Sequence, residues 1–348
     1  VIDRQEAKAM FGGRHGRAWG QFFSLGLVAF FGCAAERPEL VQDRIQAGTA
    51  YLENDELELA LEEFERAVEL DPQLAVAHSK VGYIYRRMGE YDKAEPSLAE
   101  AVRLDPDNLE YSFDWAQILF YLKRLDEAAR AYLHTIDLSP DNIRAYLNLG
   151  VCYHQMGQLE QATQFYEQAV EIDPDSAPAY SNLGVVMDAQ GKFYEAISAY
   201  QASLERDIHQ PMVLVNLGTT YLKQKRFSIA KATFEKVIQI DPDLPMPYER
   251  LGYCYFRLGD SEAAIEEYKK AIIRAEGYAD AHAGLGVVYM YDYVKQGEKD
   301  DQLRQWALAE WHRALELNPD LGKIRALLAK YNVSGDNPEE VLLHSGGG

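Results

Sequence analysis

Three asparagines, Asn148, Asn182 and Asn216, stand 34 residues apart and form the clearest chemical pattern in the chain. A side-chain amide offers both a donor and an acceptor, so a ladder of amides can hold an extended peptide backbone without reading its sequence. Each amide bonded to a neighbouring helix is an equal reading. No comparable pattern suits a reaction. The eight histidines are scattered, and no Cys or His pair has metal-ligand spacing. No glycine-rich phosphate loop or nucleophile motif occurs. The expectation is therefore a protein that is not an enzyme, with no catalytic residues, metal or cofactor.

The asparagine interval is the period of the whole chain. Asp71-Pro72, Asp105-Pro106, Asp173-Pro174 and Asp241-Pro242 follow it, and Ser139-Pro140 fills the slot between the second and third. A period of this size means a solenoid, in which each unit touches only its neighbours. Small residues such as Gly150, Ala162 and Ala169 would let two antiparallel helices approach, while Leu149, Tyr153 and Tyr166 fill the hollows beside them. Gly157 falls at the turn between the helices, where positive φ is expected. Proline removes an N–H and disfavours helix in the residue before it, so Asp-Pro ends the second helix. His78 and His282 hold the position filled elsewhere by Tyr146, Tyr180 and Tyr248, which makes them packing residues. Cys152 and Cys254 lie 102 residues apart, beyond reach of a disulfide, and read as small buried residues.

These residues resemble the tetratricopeptide repeat (TPR) pattern. The resemblance implies an all-α, right-handed superhelical solenoid of about eight helix-turn-helix repeats with a C-terminal capping helix. The units run 41–74, 75–108, 109–142, 143–176, 177–210, 211–244, 245–278 and 279–321, followed by a capping helix over 322–331 and a disordered tail over 332–348. The third unit diverges, with Trp115-Ala116 in place of Leu-Gly, and the fifth puts Ile208 in the proline slot. The eighth has nine extra residues, expected as a charged solvated loop near 291–305.

In that family the first helix of each unit lines the concave face with its second, fifth, sixth, ninth, twelfth and thirteenth positions, which also share one helical face. Here they carry seven cations (Lys80, Arg86, Arg87, Arg144, Lys223, Arg250, Arg257) and six acids (Glu53, Glu110, Asp114, Asp188, Glu249, Asp280), on a chain of net charge −20. The acid is thus outside the groove. Aromatic and apolar residues, including Tyr83, Phe120 and Tyr253, alternate with these charges. A nearly neutral channel of this kind suits a peptide or helix with hydrophobic anchors. The expected peptide-binding residues are Lys80, Tyr83, Arg86, Arg87, Phe120, Asn148, Asn182, Asn216, Lys223, Arg250, Tyr253 and Arg257.

The acidic balance argues against nucleic acid as a partner. Residues 22–33 form an uncharged apolar run after Arg14, His15 and Arg17, the pattern of a secretory signal and too short to span a bilayer. Met10 makes a better start for such a segment than Val1. The run ends Gly32-Cys33-Ala34-Ala35, which resembles a bacterial lipobox, with Phe30 departing from the usual aliphatic residue. The resemblance implies export over 1–33, lipid attachment at Cys33, a linker over 34–40 and an outer-membrane anchor facing the periplasm. The membrane would be met only through that lipid. The expected role is an envelope scaffold for pilus, secretion or cell-envelope assembly. The alternatives are an adaptor for a cell-wall hydrolase or a cytosolic co-chaperone or regulatory scaffold.

Overall fold

The computed structural model describes residues 37–331. The expected export segment, Cys33 and the tail 332–348 lie outside them. The described residues divide into two compact units, with the boundary between Val81 and Gly82. The first holds α1 (Arg37–Glu53), α2 (Leu57–Leu70) and the start of α3 (Ala75–Arg87). Residues 37–40, expected as linker, are instead the first turn of α1. In this unit Ala60, Phe64 and Ala67 of α2 are fully buried, and Arg44 reaches across to Glu63 at 2.9 Å.

The second unit continues α3 and adds α4 (Tyr91–Leu104), α5 (Leu109–Tyr121), α6 (Leu125–Leu138), α7 (Ile143–Gln155), α8 (Leu159–Ile172) and α9 (Ala177–Ala189). It goes on through α10 (Phe193–Arg206), α11 (Pro211–Lys223), α12 (Phe227–Ile240), α13 (Pro245–Leu258), α14 (Ser261–Arg274), α15 (Ala279–Lys295), α16 (Asp301–Leu317) and α17 (Gly322–Tyr331). From α5 onward each helix packs on the one before and the one after it, so the fold is all-α and built of helix-turn-helix repeats.

One contact recurs through the array. The eighth residue of each first helix is glycine in most repeats, and the large residue sixteen positions later lies directly over it. A Cβ on Gly150 would sit 2.4 Å from Cε1 of Tyr166, one on Gly184 2.6 Å from Tyr200, and one on Gly218 2.7 Å from Phe234. Gly82 meets Leu98 in the same way, at 2.5 Å. The aromatic rings so admitted are among the largest fully buried side chains. Tyr268 is held from two sides, since Cβ atoms on Gly252 and Gly284 would meet it at 2.9 and 2.3 Å.

The turns between repeats are fixed by side chains. Asp71, Asp173 and Asp241 each accept the backbone N–H two residues on, at 3.0–3.2 Å, an Asx turn. Asp207 does the same for His209 at 2.9 Å, which keeps the fifth turn although Ile208 replaces proline. The carbonyl in the proline slot is then met by the fourth residue of the next helix. The hydroxyls of Tyr146 and Tyr248 donate to Pro140 and Pro242 at 3.2 and 3.0 Å, and a ring nitrogen of His78 lies 3.1 Å from the Pro72 carbonyl. His282 bonds the Glu276 carbonyl at 3.0 Å and Glu310 at 2.6 Å. These histidines hold turns rather than ligands.

The eighth repeat differs from expectation. A regular repeat pairs helices of 13 and 14 residues, whereas α15 and α16 have 17 each. Most of the extra residues therefore lengthen the two helices, and only residues 296–300 form the turn. Val287, Val294, Leu303 and Leu308 carry the apolar stripe through the added turns and join the core around Trp311, so helix wins over loop.

Two stability tests follow from this packing. Gly150→Ala is expected to lower stability by about 1–3 kcal/mol, because neither Tyr166 nor the helix backbone can yield easily. Lys225, at φ 58° in a slot where Gly157 and Gly191 have φ 74° and 75°, is strained, and Lys225→Gly is expected to raise stability by about 0.5–1 kcal/mol. Urea unfolding of both variants checks the pair; equal midpoints would refute both assignments.

Candidate functional site

Chemistry that can face a partner lies on the first helices of successive repeats in the second unit. At one end a hollow of about 420 Å³ is lined by Tyr83 and Arg86 of α3, by Glu110, Phe113, Asp114 and Gln117 of α5, and by Arg144 of α7. Arg86 is anchored there: its Nη1 donates to Gln117 at 2.8 Å and lies 3.8 Å from Asp114. The guanidiniums of Arg86 and Arg87 stand 5.2 and 6.0 Å from the Tyr83 ring. Arg144 is exposed and stacks 4.6 Å over Phe113, which holds a cation in place without neutralising it. Lys80 belongs to the first unit and is half-buried.

Asn148, Asn182 and Asn216 sit half-buried at one equivalent position of α7, α9 and α11. Asn148 bonds the hydroxyl of Tyr132. The amides of Asn182 and Asn216 make no hydrogen bond among the described residues, so two rungs of the ladder keep their capacity. Lys223, expected as a groove cation, pairs with Asp188, which also accepts from the Thr220 hydroxyl at 2.8 Å. That cluster ties α11 to α9. Phe120 packs edge-on against Tyr121 and under Lys123. Arg257 donates to the Tyr253 hydroxyl at 2.7 Å and stacks 4.4 Å over Phe227. A larger hollow, about 1000 Å³, lies between the second helices α10 and α12, with Leu214, Leu217 and Tyr221 of α11 also lining it. Its two side-chain amides, Gln201 and Gln239, do not share a repeat position.

Glu249 is the residue whose character the sequence did not disclose. Counted by spacing as a groove acid, it is only 7% exposed. Its Oε2 lies 3.2 Å from Nε of Arg250, but the two are misaligned and neither atom makes a hydrogen bond. Burial pushes its carboxyl up to about 7, against the pull of Arg250 and with a smaller push from Asp280. A signal was present: the same position elsewhere holds Ser79, Phe113, Leu147, Ser181, Val215 and Ala283, and no other charge. Cys152 and Cys254 are free and buried, and burial moves both thiols up to about 12. Among the described residues no cluster could hold a metal ion, and no helix is long and apolar enough to cross a membrane.

With helix pairs, glycine–aromatic contacts and a ladder on the first helices in view, the comparisons with known proteins are specific. Residues 113–287, just over half of the chain, match the model of the cilia and flagella-associated protein 70 C-terminal domain, a TPR domain. Residues 80–143 and 48–89 match tetratricopeptide repeat models. The chain belongs to this tetratricopeptide repeat family. As a TPR protein it is a protein–protein interaction scaffold. No curated protein matches the chain significantly. Among solved structures it is similar to a chain of the APC/C hetero-tetramer Cut9-Hcn1, at 16% identity and TM-score 0.54 over 86% of this chain and 57% of that one. It is also similar to the MamA protein (24%, TM-score 0.48, 49% and 93% of the two chains). PilF of Pseudomonas aeruginosa is a third (21%, TM-score 0.49, 59% and 94%). In all, 495 solved chains match, so likeness of this kind carries the fold and not a role.

The buried carboxyl has a measurable consequence. Its pKa is higher folded than unfolded, so the folded state binds the proton more tightly. The stability it contributes is present below about pH 4.5 and is lost as pH rises through about 7. The wild type is expected to lose about 3 kcal/mol relative to Glu249→Gln across that window. Thermal unfolding of both at pH 4.5, 6 and 8 checks it; parallel curves would refute the assignment.

Proposed function

We propose that this protein is a non-enzymatic scaffold that holds an extended partner segment along the first-helix face of its second unit. The observation that carries this reading is the pair of unpaired amides, Asn182 and Asn216, on neighbouring first helices. Between Arg144, stacked on Phe113, and Arg250 they offer backbone hydrogen bonds flanked by cations. Charge near the ends and apolar walls between them would fix register, while the amides accept any sequence. Of the groove side chains named from the sequence, Asn182, Asn216, Arg250, Tyr253 and Arg257 meet the partner, whereas Arg86 and Lys223 brace the helices that present them.

The match to a cilia and flagella-associated domain over 113–287 favours a cytosolic regulatory scaffold or co-chaperone. A second reading, an exported lipoprotein attached at Cys33 and facing the periplasm, is motivated by the apolar run ending in Gly32-Cys33. In it the same face would serve a pilus, secretion or cell-wall complex. Intact mass and fractionation of the native protein beside Cys33→Ala separates the two: added acyl mass lost in the variant supports the lipoprotein, and an unacylated chain in the soluble fraction supports the cytosolic scaffold.

The groove reading has its own test. A variant with Arg144→Glu, Asn182→Ala and Asn216→Ala is expected to retain its helicity and lose at least about tenfold in affinity for a partner the wild type binds. Undiminished binding by a folded variant would move the partner site off this face.

A further inference from the structure

We propose that α13 carries an anchor for an acidic partner segment, Arg250 with Arg257, whose hold is coupled to proton uptake by Glu249 beneath it. The proposal rests on the groove reading and adds the chemistry of the bound segment and its dependence on pH. Arg250 and Arg257 are seven residues apart on one helix, two turns, so they share a stripe about 10 Å long. Tyr253 stands between them, and its hydroxyl and the Phe227 ring fix Arg257. No carboxylate is paired with Arg257 among the described residues.

Arg250 is placed differently. It continues the position of Asn148, Asn182 and Asn216 one repeat on, while the eighth repeat has Gly284 there and offers no side chain. The amide line therefore ends on a guanidinium. Its Nε is buried against Glu249 without a hydrogen bond, and the side chain as a whole remains 37% exposed, so its outer nitrogens can meet a ligand. The groups around Glu249 are Arg250 and Cys254 on its own helix, Tyr268 of α14, Tyr278 in the following turn and Asp280 of α15. Lys231 and Glu235 of α12 act on Cys254 beside it.

Ionised, Glu249 sets a negative charge against the Arg250 guanidinium, with Asp280 adding to the negative field at Glu249, and an incoming carboxylate is repelled. Protonated, Glu249 is neutral, and Arg250 is free to pair with the newcomer. A bound carboxylate in turn disfavours ionisation of Glu249, so binding draws a proton from solvent onto that carboxyl. Position five is apolar or small in every other repeat, and a buried carboxyl kept there with no hydrogen bond to its Oε2 has a cost that this coupling accounts for.

The test uses the full chain, isotope-labelled, with hexaglutamate and hexalysine as probes at pH 6 and pH 8, followed by NMR. Hexaglutamate is expected to shift α13 and neighbouring first-helix amides and to bind about fivefold more weakly at pH 8, the effect of a one-unit rise in the Glu249 pKa on binding. Glu249→Gln should flatten that dependence while leaving binding in place, and Arg250→Gln should abolish binding. Equal affinity at the two pH values, or hexalysine seated on α13 instead, would overturn the proposal. If the Glu249 carboxyl carbon titrates near 4 while hexaglutamate still marks the first helices, proton coupling fails and the groove reading stands. Shifts confined to second helices would sink both.

Discussion

The array depends on one contact, the closure of an aromatic ring over a glycine of the paired helix. Where Gly150, Gly184, Gly218 and Gly252 lack a Cβ, the rings of Tyr166, Tyr200, Phe234 and Tyr268 come within van der Waals reach of helix backbone. That sets the separation of the two helices in each repeat. It also sets which face of the first helix is left over, because a helix committed on one side to its partner can offer only the opposite side to anything else. Ala116 shows the tolerance of the design: in the third repeat it takes the glycine slot and remains fully buried in one core with Tyr132.

From that constraint the candidate site follows. The residues left over by the packing recur every 34 positions, so their chemistry is arrayed in lines rather than gathered in a pocket. Lines suit an extended partner, and the chemistry along them is uneven. At one end cations stacked on rings and braced by Gln117 surround a small hollow. In the middle Asn182 and Asn216 keep free amides. At the other end Arg250 lies over a buried carboxyl that titrates near neutrality. The two ends are not equivalent, which is what a scaffold needs in order to bind a segment in one direction.

The turns illustrate how local chemistry and repeat geometry reinforce each other. Asp at the helix end accepts the N–H two residues later, and the fourth residue of the next helix takes the carbonyl between them. Because the aspartate and the fourth residue share the work, proline can be lost. Asp207 keeps its turn with Ile208 in the slot, and His282 anchors the Glu276 carbonyl where neither Asp nor Pro is present.

The helix-turn-helix repeat, its period, the placement of turns and the face of the first helix were legible in the sequence, because they depend on contacts within one unit and so recur with it. The same holds for Cys152 and Cys254, one repeat position met twice. What depends on contacts between neighbouring repeats was not legible. Lys223 is consumed by Asp188 of the preceding first helix, a partner that spacing alone does not name. The extra residues of the eighth repeat extend α15 and α16 because their apolar members meet the Trp311 core; their charges alone suggested a loop. Glu249 has the spacing of a groove acid, yet stacking of the repeats leaves it only 7% exposed, and that burial raises its carboxyl. A periodic sequence determines which side chains share a face, but their charge state and freedom are decided by desolvation and pairing, and those exist only once the repeats are stacked.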